Sequence, residues 1–130
     1  MFTMKTNIVH IIPIPLILRT EALVVLLGSL AAFHWLGGSW STFFWVFLLP
    51  DIAMLGYTKD LRTGTLAYNV THSYVTVVLT AALFSWSPLF LIWSAHIAFD
   101  RMLGFGLKLP AGFRFTHLTV IPELTESRKA

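Results

Sequence analysis

Asp51, His72, His96 and Asp100 stand out in this 130-residue sequence because each is an ionisable side chain inside a long apolar run. Imidazole nitrogens and carboxylate oxygens are donors that Zn²⁺ or a related divalent ion accepts, and an ion so held activates water. Without a metal, the same groups supply a general base and the acid that orients it, or a relay for protons. His96 and Asp100 are four residues apart, so on a helix they share a face. Thr65, Asn69, His72, Ser73, Thr76 and Thr80 recur at spacings suited to one helical stripe. Glu21 and His117 are further candidates, and Arg101 can pair with an acid or reach an interface. The plainest alternative is structural. In lipid, such groups hydrogen bond between helices at about 0.6 kcal/mol each, and Asp100 then simply pairs with Arg101. Neither H-x-x-x-D nor N-x-x-H is specific by itself. The stronger signal is that four apolar segments each bring an ionisable residue to one depth.

Those segments cover 19–36, 39–57, 65–84 and 88–104, each 17 to 20 residues long. At 1.5 Å per residue that is the length needed to cross about 30 Å of hydrocarbon. Composition points the same way. The chain is 56% hydrophobic and only 12% charged, against about 25% charged in an ordinary soluble domain, and its mean hydropathy is +0.75. Helices of a soluble bundle would carry a charged outer stripe, which these lack. The expectation is an all-α, four-helix transmembrane bundle. Gly37-Gly38 ends the first segment, 58–64 forms a polar loop, and Pro50 introduces a kink beside Asp51. The absence of cysteine excludes a disulfide framework, a zinc–thiolate site and a cysteine nucleophile.

Charge placement sets the topology. The nine basic residues are Lys5, Arg19, Lys59, Arg62, Arg101, Lys108, Arg114, Arg128 and Lys129. With four spans, all of them fall on the side shared by the two termini and the middle loop. The two opposite turns, 37–39 and 85–87, hold none. By the positive-inside rule both termini are cytoplasmic. The net charge of +3 therefore reports orientation and contact with the bilayer, not nucleic acid. All six candidates within the spans (Glu21, Asp51, Asn69, His72, His96 and Asp100) then lie in the cytoplasmic half.

Outside the spans, 1–18 reads as an interfacial lead-in. Pro13 and Pro15 interrupt its apolar run, and no A-x-A-like cleavage site follows. The segment 105–122 mixes glycine, aromatic residues, Lys108, Arg114 and His117, as an interfacial or folded-back segment would. It is either a membrane-edge anchor or a lid that returns His117 to the cluster. The last residues, 123–130, read as a disordered tail. The sequon at Asn69 lies within a span, where glycosyl transfer cannot reach it.

The runs LLPDIAMLGY (48–57), LAYNVTHSY (66–74), AHIAFDRMLGFGLKLP (95–110) and FRFTHL (113–118) resemble a family of small bacterial membrane proteins, the domain of unknown function 4260. The resemblance covers roughly 18–121 and implies a bacterial four-helix membrane protein with no established activity, expected in the inner membrane. Its polar signature falls on Asp51, Asn69, His72, His96, Asp100, Arg101 and His117. Phe105 departs from it, standing where tyrosine is expected.

Three functions follow as expectations. The first is a hydrolase or transferase on a lipid-like substrate from the cytoplasmic leaflet. Asp51, His72, His96 and Asp100 would hold one divalent ion, Zn²⁺ or similar, or His72, His96 and Asp100 would act as acid and base. Lys108 and Arg114 would bind a phosphate or carboxylate headgroup. The second is a small proton-coupled transporter, for which the outer half offers only Ser29, His34, Thr76 and Thr80. The third is a membrane subunit packing on a larger partner.

Overall fold

The computed structural model describes residues 14–108, and these form helices without a strand among them. The elements are α1 (Ile14–Trp35), α2 (Trp40–Phe47), a 3₁₀ helix (Leu49–Thr58), α3 (Leu61–Thr71), α4 (Tyr74–Phe84) and α5 (Leu89–Leu103). Two stretches, Pro15–Trp35 and Trp40–Thr58, are long and apolar enough to cross a membrane. Calls that fall within 1–13 and 109–130, including His117, Arg114 and the tail, lie outside the described residues.

α1 and α5 form an antiparallel pair. Arg19 Nε, near the start of α1, donates to the Met102 carbonyl near the end of α5 at 2.7 Å. At the other end, Phe33 joins Phe43, Ile92 and Ala95 in one buried cluster. Both helices end in the same way. Gly37, with φ +71°, donates to the His34 carbonyl while Gly38 donates to Phe33. Gly104, with φ +98°, donates to Arg101 while Phe105 donates to Asp100. This is the Schellman arrangement, which needs a left-handed residue that glycine adopts at no steric cost. The second of these turns sends 105–108 back over the molecule.

α2 docks through its aromatic side chains. Phe43 meets Phe33 edge-on at 5.5 Å and stacks on Phe47 at 5.3 Å, and Phe47 meets the His96 ring at 5.0 Å. The kink expected at Pro50 takes the form of a change of helix type. α2 stops at Phe47 and the chain continues as a 3₁₀ helix with Pro50 in its first turn, where the missing N–H costs no hydrogen bond. The 3₁₀ helix and α3 then pack as a hairpin. A Cβ on Gly56 would lie 3.1 Å from Gly64 Cα, and one on Gly64 would run into the Tyr57 ring. This close approach lines up the far ends of the two arms, Asp51 and His72.

Two expectations need correction. The stretch 58–64 is not wholly a loop, since α3 begins at Leu61. Asp60 caps it, accepting from Thr63 N at 2.7 Å and from Thr63 Oγ1 at 2.8 Å. The third segment is not one helix either, because α3 ends at Thr71 and α4 starts at Tyr74. Ser73 is the N-cap of α4, accepting from Val75 N at 3.3 Å. The polar stripe from Thr65 to Thr80 is therefore not one face, and Thr80 simply bonds the Thr76 carbonyl of its own helix. Carbonyls freed by the break find partners on α5. Trp93 Nε1 donates to Thr71 O at 2.6 Å, and Arg101 Nη2 donates to His72 O at 3.4 Å.

Candidate metal centre

The hairpin and α5 bring Asp51, His72, His96 and Asp100 to one point. His72 Nε2 and His96 Nε2 are 3.1 Å apart. His72 Nε2 lies 3.4 Å from Asp51 Oδ1 and 3.3 Å from Asp100 Oδ2. His96 Nε2 lies 3.3 Å and 3.6 Å from the same two atoms. All four donor atoms fit within 4.8 Å of one another. Bond lengths of about 2.0–2.2 Å to a tetrahedral ion imply donor–donor edges of roughly 3.3–3.6 Å. Five of the six edges already stand near that length.

The imidazole of His72 is held as a ligand needs to be held. His72 Nδ1 is 3.0 Å from the Tyr68 carbonyl. A carbonyl only accepts, so this contact puts a proton on Nδ1 and leaves Nε2 as the atom that would ligate an ion. Tyr68 stacks on the His72 ring at 3.7 Å, nearly parallel at 8°, and its hydroxyl donates to Asp100 Oδ2 at 3.2 Å. Thr71 Oγ1, 3.4 Å from the Pro50 carbonyl, ties the two arms of the hairpin together at this level. Both histidines are buried, whereas the Asp51 side chain is 39% exposed. His96 Nδ1 is buried with no hydrogen-bond partner among the described residues. The contacts of His96 to the cluster are therefore made through Nε2 alone.

The family described as Domain of unknown function (DUF4260) matches residues 15–121. The chain belongs to the DUF4260 family. No curated protein and no solved structure matches it.

In this DUF4260 chain a cavity of about 250 Å³ opens on the carboxylate side of the cluster, lined by Asp51, Met54, Tyr68, Asp100, Phe105 and Lys108. Beyond Gly104 the returning chain is clamped by Asn69, whose Nδ2 donates to Lys108 O at 2.8 Å and whose Oδ1 accepts from Lys108 N at 2.6 Å. Lys108 is buried, with Nζ 4.8 Å from the Tyr68 ring centroid. Burial pushes its ammonium pKa down, against the pull of Asp100 and Asp51.

The residues expected from sequence divide clearly. Asp51, His72, His96 and Asp100 converge. Asn69 and Lys108 meet one another beside them, and Arg101 supports the break after His72 rather than pairing with Asp100. Its guanidinium lies 4.5 Å from the Tyr74 ring centroid. Glu21 is not brought in. It is exposed on α1, in a groove with Leu16, Ile17, Thr20 and Val24. Tyr68 and Trp93 were missed, although Tyr68, one turn before His72, shares its helix face.

Proposed function

We propose that this protein is a four-span metal enzyme of a bacterial inner membrane, with both termini cytoplasmic. It acts as a hydrolase or transferase on a lipid-like substrate entering from the cytoplasmic leaflet. The observation that carries the enzyme reading is the convergence of two imidazole nitrogens and two carboxylate oxygens within 4.8 Å of one another, beside a cavity.

Support for the membrane comes from the outward face. Trp45 is 81% exposed, Leu83 77%, Phe44 71% and Val24 66%, a surface suited to hydrocarbon and not to water. The four spans are α1, α2 with the 3₁₀ helix, α3 with α4, and α5. The 15 residues of α5 reach about 22 Å, so this span requires its flanks or a locally thinned bilayer. Arg19 and Arg101 stand at the same end of the α1–α5 pair, consistent with the topology read from charge. Reporter fusions after Lys129 and within Gly37-Gly38 give opposite compartment signals in this arrangement. Identical signals contradict it.

Cysteine-rich donor sets mark structural zinc, and this set has none. A divalent ion here supplies a polarising charge and a water of lowered pKa. The chain's residues do the rest. His72 and His96 hold the anchor side, and Asp51 and Asp100 border the cavity where a substrate enters. The two buried rings keep water from the far side of the cluster. The test offers metal-loaded protein a panel of phosphodiester, phosphomonoester and carboxylic-ester lipids in mixed micelles. Turnover of one class, abolished in Asp51→Asn, is expected. A fully loaded wild type no faster than Asp51→Asn on all three contradicts the enzyme reading.

A further inference from the structure

We infer that the cleft between α2 and α5 is a binding site for a hydrocarbon chain of a bilayer lipid. This rests on the membrane placement proposed above and is independent of the metal. The cleft has Val46, Leu49 and Pro50 on one side and Leu89, Phe90 and Trp93 on the other. Its volume of about 370 Å³ falls within the roughly 300–1,000 Å³ of ligand pockets. Two breaks in the helices make room for it. α2 gives way to the 3₁₀ helix after Phe47, and α3 ends at Thr71.

The three polar side chains of the lining, Thr71, Ser87 and Trp93, are engaged within the fold. Thr71 Oγ1 lies 3.1 Å from the Ala67 and Tyr68 carbonyls and 3.0 Å from His72 Nδ1. Trp93 Nε1 donates to Thr71 O at 2.6 Å, and Ser87 Oγ accepts from Leu89 N at 3.3 Å. A water in a cavity needs several polar partners, whereas an apolar cavity stays dry and takes apolar guests. Left empty, its lining forfeits dispersion contacts. The rim is apolar as well, with Leu49 53% and Leu89 47% exposed. In a bilayer, what meets such a rim is a lipid chain. A polar ligand would enter only by giving up hydrogen bonds that the cleft does not replace. Leu89, Trp93, His96 and Asp100 follow at spacings of four, three and four, so the face of α5 that lines the cleft also carries two of the proposed ligands. Pro50 and Thr71 directly precede Asp51 and His72, and a chain in the cleft therefore packs against the wall of the metal centre.

The test uses full-length protein in phosphatidylcholine vesicles whose acyl chains are progressively replaced by dibrominated ones, since bromine quenches indole emission on contact. Trp35, Trp40, Trp45 and Trp86 are exposed, so strong quenching of wild type reports insertion into the bilayer. Replacing these four by phenylalanine leaves Trp93 as the reporter in the cleft. Its emission is expected to be quenched about as strongly as that of wild type. Adding Val46→Phe, which fills the cleft, is expected to remove most of the Trp93 quenching, while the same substitution in wild type leaves the other four tryptophans quenched. Should Val46→Phe not fold, Leu49→Phe takes its place. Unquenched Trp93 beside a quenched wild type overturns the chain site alone, whether the cleft is empty or filled by a second copy. Trp93 quenching that the filled variant does not reduce overturns it too, because bromine then reaches the indole from outside the cleft. A wild type that is not quenched overturns the membrane placement and the chain site with it.

Discussion

Replacing Tyr68 with phenylalanine isolates one hydrogen bond next to the proposed metal ligands. Tyr68 is buried and stacks on His72 at 3.7 Å, and phenylalanine keeps both the ring and its packing. What is lost is the hydroxyl that donates to Asp100 Oδ2 at 3.2 Å. A hydrogen bond to a charged group contributes about 1.5–3 kcal/mol, which is roughly a ten- to 150-fold change in an equilibrium constant. Removing a partner of a metal ligand typically costs about 10- to 100-fold in metal affinity, so two independent routes give the same range. The assay is competition for Zn²⁺ between detergent-solubilised protein and a chromophoric chelator, for wild type and Tyr68→Phe. Affinity weaker by at least about tenfold is expected, together with a lower thermal midpoint of the chelator-treated variant, because the bond is also present without the ion. Equal affinities would refute the assignment of Asp100 as a ligand supported by Tyr68.

Two further perturbations probe the scaffold. Gly64→Ala drives a methyl into the Tyr57 ring where the 3₁₀ helix meets α3. Overpacking of this kind costs about 1–3 kcal/mol, more than the 0.4–1 kcal/mol gained from a stiffer unfolded chain. A lower thermal midpoint is expected, together with weaker metal retention as Asp51 and His72 lose register. The carboxyl of Asp60 is held below its ordinary value of 3.8, first by the Thr63 backbone N–H and then by the Thr63 hydroxyl. Because the folded value is the lower one, its stabilisation is full above 3.8 and fades as pH falls through the folded value. Asp60→Ala should therefore lower the melting temperature at pH 7, and melts in progressively stronger acid should bring the two proteins together. A constant difference across that range contradicts the capping role.

The four donor residues were legible because charge is expensive in an apolar run, so their presence there signalled a use. Pro50 and Gly37-Gly38 were legible because proline and glycine restrict or free the backbone in known ways. The break at His72–Ser73 was not, since no proline or glycine marks it. It depends on Trp93 and Arg101, 22 and 29 residues away in sequence, accepting the task of bonding freed carbonyls. The start of α3 was written in the Asp60–Thr63 spacing but sits in a polar stretch that resembles a loop. Glu21 had the right type but the wrong rotation. Ala22, Ser29 and Phe33 are the buried residues of α1, and Glu21 lies about 100° of helix away from Ala22. Rotation about a helix axis needs the neighbour. Tyr68 was passed over because an aromatic residue in an apolar segment ordinarily means packing.

The central claim is that Asp51, His72, His96 and Asp100 bind one metal ion, and the metal content of the purified protein tests it most directly. Wild type and His96→Ala would be purified in mild detergent without chelator, and metal per chain determined by elemental analysis. His96 is almost fully buried, and its Nε2 lies within 3.6 Å of the other three donor atoms, so its loss removes one corner of the site. The account predicts close to one divalent ion per chain in wild type and a background level in His96→Ala. Background metal in both proteins, with wild type still at background after incubation with Zn²⁺ and removal of the excess, would contradict it.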